Sequence, residues 1–113
     1  MKIICSGSDL SDAVGKVIKA VSGRSTNPVL EGIKLKAEQG TLTLTATDLE
    51  LAIEKSIVAD VKIEGETVVP GRLFSEFVRK LNKEQIELSI ADGNQLKIRY
   101  MQSEGVLQCL PAE

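Results

Sequence analysis

The chain has no histidine. That removes Ser-His-Asp and Cys-His arrangements, which depend on an imidazole to move a proton near neutral pH. Aromatic residues are almost as scarce: Phe74, Phe77 and Tyr100 make up 3% of 113 residues. Proteins that hold single-stranded nucleic acid stack bases on exposed rings, and this chain has few rings to offer. No apolar run approaches 18 residues, so the sequence contains no candidate membrane-spanning helix. The opening MKIICSGSDL lacks the apolar core and small-residue cleavage site of a signal peptide. The two cysteines, Cys5 and Cys109, are far apart and in no C-x-x-C spacing. They read as buried thiols of a reducing, cytoplasmic protein. There is no Walker A loop, no G-x-G-x-x-G after a strand, and no helix-turn-helix or zinc-finger pattern. The net charge of −2 excludes a polybasic chain, so any contact with nucleic acid must come from how charge is distributed.

What the chain does have is concentrated in VVPGRLFSEFVRKLNK, residues 68–83. It reads as a short strand running into a helix, with Pro70 and Gly71 at the junction, where a missing N–H costs nothing. At about 100° per residue, Leu73, Phe74, Phe77, Val78 and Leu81 share one face, while Arg72, Arg79 and Lys83 share the opposite one. Such a helix rests its apolar side on a sheet and turns cations outward.

The remainder falls into place around this element. Lys2–Cys5 is a strand, and Ser8 or Asp9 caps a helix reaching about Val21. Its apolar face holds Leu10, Val14, Val17, Ile18 and Val21, with Lys16 and Lys19 opposite. SGRSTNP, residues 22–28, is a loop carrying Arg24. Three strands follow: Ile33, Leu35 and Ala37 alternate with charged residues; Leu42, Leu44 and Ala46 alternate with threonines; and a third strand runs to about Val58. Strict alternation marks half-buried antiparallel strands. Residues 60–65 read as a charged connector. Then strand, helix (71–81) and three strands recur, with a hairpin turn at Asp92-Gly93.

The order is therefore β-α-β-β-β twice, with pseudo-repeats at 1–58 and 66–110 in one domain spanning 1–113. The expected fold is α+β: antiparallel sheets with one dry face each, and two helices side by side covering them. Charge follows the same division. Residues 8–24 hold Lys16, Lys19 and Arg24 against Asp9 and Asp12, and residues 71–83 hold Arg72, Arg79, Lys80 and Lys83 against Glu76. These two stretches together carry +4, leaving −6 for the rest of the chain. A positive helical layer on an otherwise negative molecule suits a protein with one face toward phosphate.

No catalytic set emerges. Asp48 and Glu50 share one side of a strand and could ligate Mg²⁺, yet such sites recruit more converging carboxylates. A turn aspartate and a solvated glutamate explain them better. Ser75 has no base beside it, and Lys16 and Lys80 lie on solvated helix faces. No cofactor and no metal is expected.

The segments MKIICSGSDLSDAVGKVIKAVSGRSTNPVLEGIKL, GTLTLTATDLELAIE, VVPGRLFSEFVRKL and CLPAE, in this order, resemble the first domain of the bacterial sliding-clamp family, the beta subunits of DNA polymerase III. The resemblance implies a DNA-clamp fold and three such domains per subunit. It implies two subunits closed head to tail as a dimeric ring around duplex DNA, helices inward. Such a ring tethers the polymerase for processivity, without catalysis, and is placed by a clamp loader. Among site residues, it implies DNA contact by Arg24, Arg72 and Arg79. Lys16 and Lys19 join them from the helical wheel, and Lys83 completes the candidate set. The final strand, Ser103–Leu110, falls where the family's first domain meets the third domain of the other subunit. There Val106 and Leu107 are the apolar interface candidates, in place of the aromatic and basic residues the family often carries. The chain stops where the family continues into a second domain, so it reads as a fragment or isolated domain. The reading that competes with a clamp is an interaction module binding an acidic protein partner through the same basic face.

Overall fold

The computed structural model describes residues 1–20, 32–47, 52–81, 85–91, 94–101 and 103–110. The elements are β1 (Lys2–Ser6), α1 (Gly7–Val17), β2 (Gly32–Glu38), β3 (Thr41–Thr47), β4 (Ala52–Val58), β5 (Asp60–Ile63), β6 (Gly65–Pro70), α2 (Gly71–Arg79), β7 (Gln85–Ala91), β8 (Gln95–Tyr100) and β9 (Ser103–Gln108), with a 3₁₀ turn at Ile18–Ala20 after α1.

All strand pairs are antiparallel, as the alternation requires. One sheet runs β5-β1-β7-β8-β9 and the other β4-β3-β2-β6. The first strand of each half thus sits in the sheet of the other half: β1 joins β7, β8 and β9, while β6 joins β2, β3 and β4. Period-2 sequences decide which face is dry. Ile33, Leu35, Leu42 and Leu44 in one sheet, and Ile3, Ile86, Leu88, Leu96 and Ile98 in the other, are all 0% exposed. Their partners at odd spacing, such as Lys34, Lys36 and Arg99, face water. Leu10, Val14 and Val17 of α1 and Phe74 and Val78 of α2 close the core from the helical side. Full burial of Phe74 contributes about 2–3 kcal/mol.

Several local expectations need correction. The helix cap is Ser6 rather than Ser8 or Asp9: its hydroxyl accepts the Asp9 N–H at 3.3 Å, and Asp9 lies in the first turn, where its charge favours the helix end. The α-helix ends at Val17 and passes into the 3₁₀ turn at Ile18–Ala20, and Val21, its expected end, lies outside the described residues. The second helix stops at Arg79, two residues short of Leu81, although Leu81 is still buried. Residues 60–63 are not a connector but a strand, β5, on the outer edge of β1. Its charged composition suits an edge with few buried positions. The last strand spans Ser103–Gln108, and Leu110 forms only an isolated bridge with Val68. The hairpin at Gln39-Gly40 has both residues at positive φ, 52° and 76°, the geometry a two-residue antiparallel turn prefers. The turn at Asp92-Gly93, the loop at 22–28, and Asp48 with Glu50 lie outside the described residues.

Candidate nucleic-acid interface

α1 and α2 pack against each other, and α1 also lies against β3 and β4. Gly71 and Ser75 of α2 are buried, and Gly7 of α1 likewise. The polar faces of the two helices consequently share one surface. Lys16 and Lys19 are exposed on the α1 side, and Arg72, Arg79 and Lys80 on the α2 side. Arg79 and Lys16 each stand in the last turn of their helix, where a cation favours the carbonyl end. Arg72 stands in the first turn of α2, where the helix dipole does not favour it. Neither Arg24 nor Lys83 falls among the described residues.

The electrostatic contrast with the sheets is clear. Most sheet cations stand beside carboxylates: Lys2 with Glu87 at 3.9 Å, Lys34 with Glu66 at 3.6 Å, Lys36 with Glu38 at 3.5 Å, Lys62 with Asp60 at 2.9 Å. Arg99 is shared between Glu87 and Glu104, 3.7 Å from each. Among the described residues, none of these ion pairs involves Lys16, Lys19, Arg72, Arg79 or Lys80. Lys55 of β4 and Lys97 of β8 are also absent from these pairs, so among the described residues the unpaired cations are concentrated on the helices, five against two, where they can meet an external anion.

The other candidates divide. Val106 is 46% exposed on β9, which ends its sheet. Leu107 points the other way and packs against the core, so only part of it can reach a partner. Leu73, expected on the buried face of α2, is 55% exposed. The buried stripe is centred on Phe74 and Val78, and Leu73 lies about 100° from Phe74 on the helix flank. Phe77 is half-buried and covers Gly105 of β9, where an added Cβ would come within 2.0 Å of its ring. Its ring also meets Tyr100 edge-on at 6.0 Å. The rings are thus committed to packing.

Lys80, counted in the charge of this stretch, extends the α2 cations, and one residue passed over in the sequence emerges here. Lys55 lies on the inner side of β4, beside a groove of about 280 Å³ lined by Asp9, Asp12, Ala13, Lys16, Ser56 and Ile57. The signal for Lys55 was its period-2 spacing with Ile53 and Ile57. No cluster of three or more potential metal ligands occurs among the described residues, and no helix among them is long and apolar enough to cross a membrane.

Comparison with known proteins places this geometry. The family model described as "DNA polymerase III beta subunit, N-terminal domain" matches residues 1–113. The chain is 42% identical over 97 residues to the beta sliding clamp of Synechocystis sp., covering 83% of this chain and 25% of that protein. It is 34% identical over 113 residues to the beta sliding clamp of Streptomyces coelicolor, covering 100% of this chain and 30% of that one. Among solved structures it is similar to the DNA polymerase sliding clamp from Bacillus subtilis, with a TM-score of 0.94 and 32% identity over 99% of this chain and 32% of that chain. The sliding clamp from Caulobacter crescentus gives 0.93 and 34%, over 99% of this chain and 31% of that one. The chain therefore spans between a quarter and a third of the length of these relatives.

Proposed function

The chain belongs to the family of DNA polymerase III beta subunit N-terminal domains, and from that membership we propose that it is one domain of a DNA sliding clamp. In this reading, 1–113 is the first of three domains in a subunit, and 1–58 and 66–110 are two copies of one plan. Two subunits form a ring around duplex DNA. The ring tethers the replicative polymerase, is placed by a clamp loader, works in the cytoplasm and carries no catalysis of its own.

The observation that carries the reading is the segregation of cations. Five of the seven sheet cations, Lys2, Lys34, Lys36, Lys62 and Arg99, stand beside carboxylates, with Lys55 and Lys97 the exceptions, whereas Lys16, Lys19, Arg72 and Arg79 on the two helices are exposed and none is in an ion pair. Arg24 and Lys83 extend the same contact set. Contact of this kind touches phosphates rather than base edges, so it holds duplex without reading sequence and permits sliding. Val106 and the accessible part of Leu107 serve the subunit contact. Family membership favours this reading over the acidic-partner module.

Titration of the chain with a short duplex at low salt, followed by amide NMR, tests it. Shifts are expected on the polar faces of α1 and α2. Reversing Arg72 and Arg79 to glutamate should reduce the slope of log affinity against log salt by about 2, since each lost phosphate contact removes about 0.9. Shifts confined to the outer sheet faces, or an unchanged slope, would reject the assignment.

A further inference from the structure

Counted from their first residues, Gly7 and Gly71, the two helices can be matched place by place. Leu10, Val14 and Val17 then match Phe74, Val78 and Leu81, and all six are buried. Four places are exposed on both helices: Ser8 with Arg72, Asp9 with Leu73, Asp12 with Glu76, and Lys16 with Lys80. The character of the side chain agrees only at the last two. Each helix thus carries a carboxylate in the middle of its outward face and a lysine four residues on. Lys80 follows the last residue of α2 but keeps helical backbone, with φ −82° and ψ −8°, so the spacing is helical in both.

Residues four apart share one face of a helix, about 6 Å apart along the axis, and acid before base is the favourable order for a pair. Each lysine therefore has a carboxylate within reach. Glu76 is also one turn from Arg72 and Arg79, while Asp12 shares a groove with Lys16 and Lys55. Among the described residues, however, neither Asp12 nor Glu76 is in an ion pair. Sheet carboxylates differ: Glu38, Asp60, Glu66, Glu87 and Glu104 each stand beside a strand cation. Asp9, the remaining acid of α1, has a local task in the first turn, where it favours the helix end. Asp12 and Glu76 lie beyond that turn in their helices, and aspartate is a poor residue for a helix interior. A surface shaped only to grip phosphate would carry neutral residues or further cations at these places.

We propose that Asp12 and Glu76 limit how firmly the helical surface holds a duplex. Each offers the lysine one turn on an alternative to phosphate, and each repels a phosphate that settles beside it. As the duplex moves, the cation exchanges one anion for another rather than standing alone between two phosphates. The hold stays weak enough for movement along the backbone. This role rests on the duplex reading given above.

Fluorescence anisotropy of the 113-residue chain with a short duplex at low salt is the test. Asp12→Asn should tighten binding by about twofold. Glu76→Gln, which releases three cations, should tighten it by about two- to fivefold. The double variant should steepen the slope of log affinity against log salt by about 1. Glu54→Gln makes the same change of charge at an exposed position on the outer face of β4 and should leave affinity unchanged. No tightening by either helix variant, an unchanged slope, or equal tightening by Glu54→Gln would overturn the proposal. If Arg72→Glu and Arg79→Glu weaken binding while the helix amides do not tighten it, only the role of Asp12 and Glu76 is lost. If neither the wild type nor any variant binds duplex, the duplex reading is lost with it.

Discussion

Cys5 shows how much one side chain owes to its surroundings. It lies 4% exposed on the inner face of β1. Loss of solvent, reinforced by the Asp9 carboxylate, pushes its thiol up from 9.0 to about 12. The folded state therefore keeps a proton that the unfolded chain releases near pH 9.0. Stability from this group is complete below that pH and lost as pH rises toward 12. The urea midpoint should fall across this window, and Cys5→Ala should show a shallower fall. Native protein at neutral pH should also resist alkylation at Cys5. A rapid reaction there would show that the thiol is reachable and ionised. The sequence marked Cys5 as a buried thiol because it is far from Cys109 and in no C-x-x-C spacing. It held no trace of the Asp9 contribution, which needs the helix to turn back over the strand.

At the scale of elements, the two helices were legible for different reasons and to different extents. α2 announced itself through Pro70-Gly71 and a dense apolar stripe. Its flank was misjudged because a wheel has no sharp boundary: Leu73 and Phe77 lie on the same flank of the stripe, about 100° and 60° from Phe74, and Phe77 finds Gly105 of β9 beneath it whereas Leu73 is exposed. α1 was misplaced at its start because Ser6, Ser8 and Asp9 all have capping chemistry, and only the course of β1 selects Ser6. Gly15 in α1 remains unexplained by packing. A Cβ there would meet nothing within 4 Å, whereas a helix-interior glycine costs about 0.5–1 kcal/mol relative to alanine. Gly15→Ala should accordingly raise stability by about that amount in a denaturant melt. A loss would mean that an unseen neighbour occupies the space. β5 was missed because four residues with alternating charge carry too little apolar pattern to register as a strand.

For the whole molecule, composition and topology answer different questions. A net charge of −2 conceals a cationic helical surface, and that surface exists only because both helices cover sheets from the same side. Its rings are in packing: Phe74 is 0% exposed, and Phe77 is stacked over Gly105 and against Tyr100. A single-stranded oligonucleotide should therefore compete for the chain no better than a duplex of equal length, since it gains no base stacking and presents lower charge density. Tighter binding of the single strand, measured by fluorescence anisotropy at low salt, would contradict the duplex reading.

Apart from β5, the order of elements, the dry face of the strands and the cationic stripe of α2 were determined by the sequence alone, because periodicity is a local property of the chain and burial obeys it. The exchange of β1 and β6 between sheets and the pairing of most sheet cations with carboxylates were decided by tertiary structure. Each depends on which distant residues become neighbours, and a pattern of period 2 or 3.6 carries no record of that.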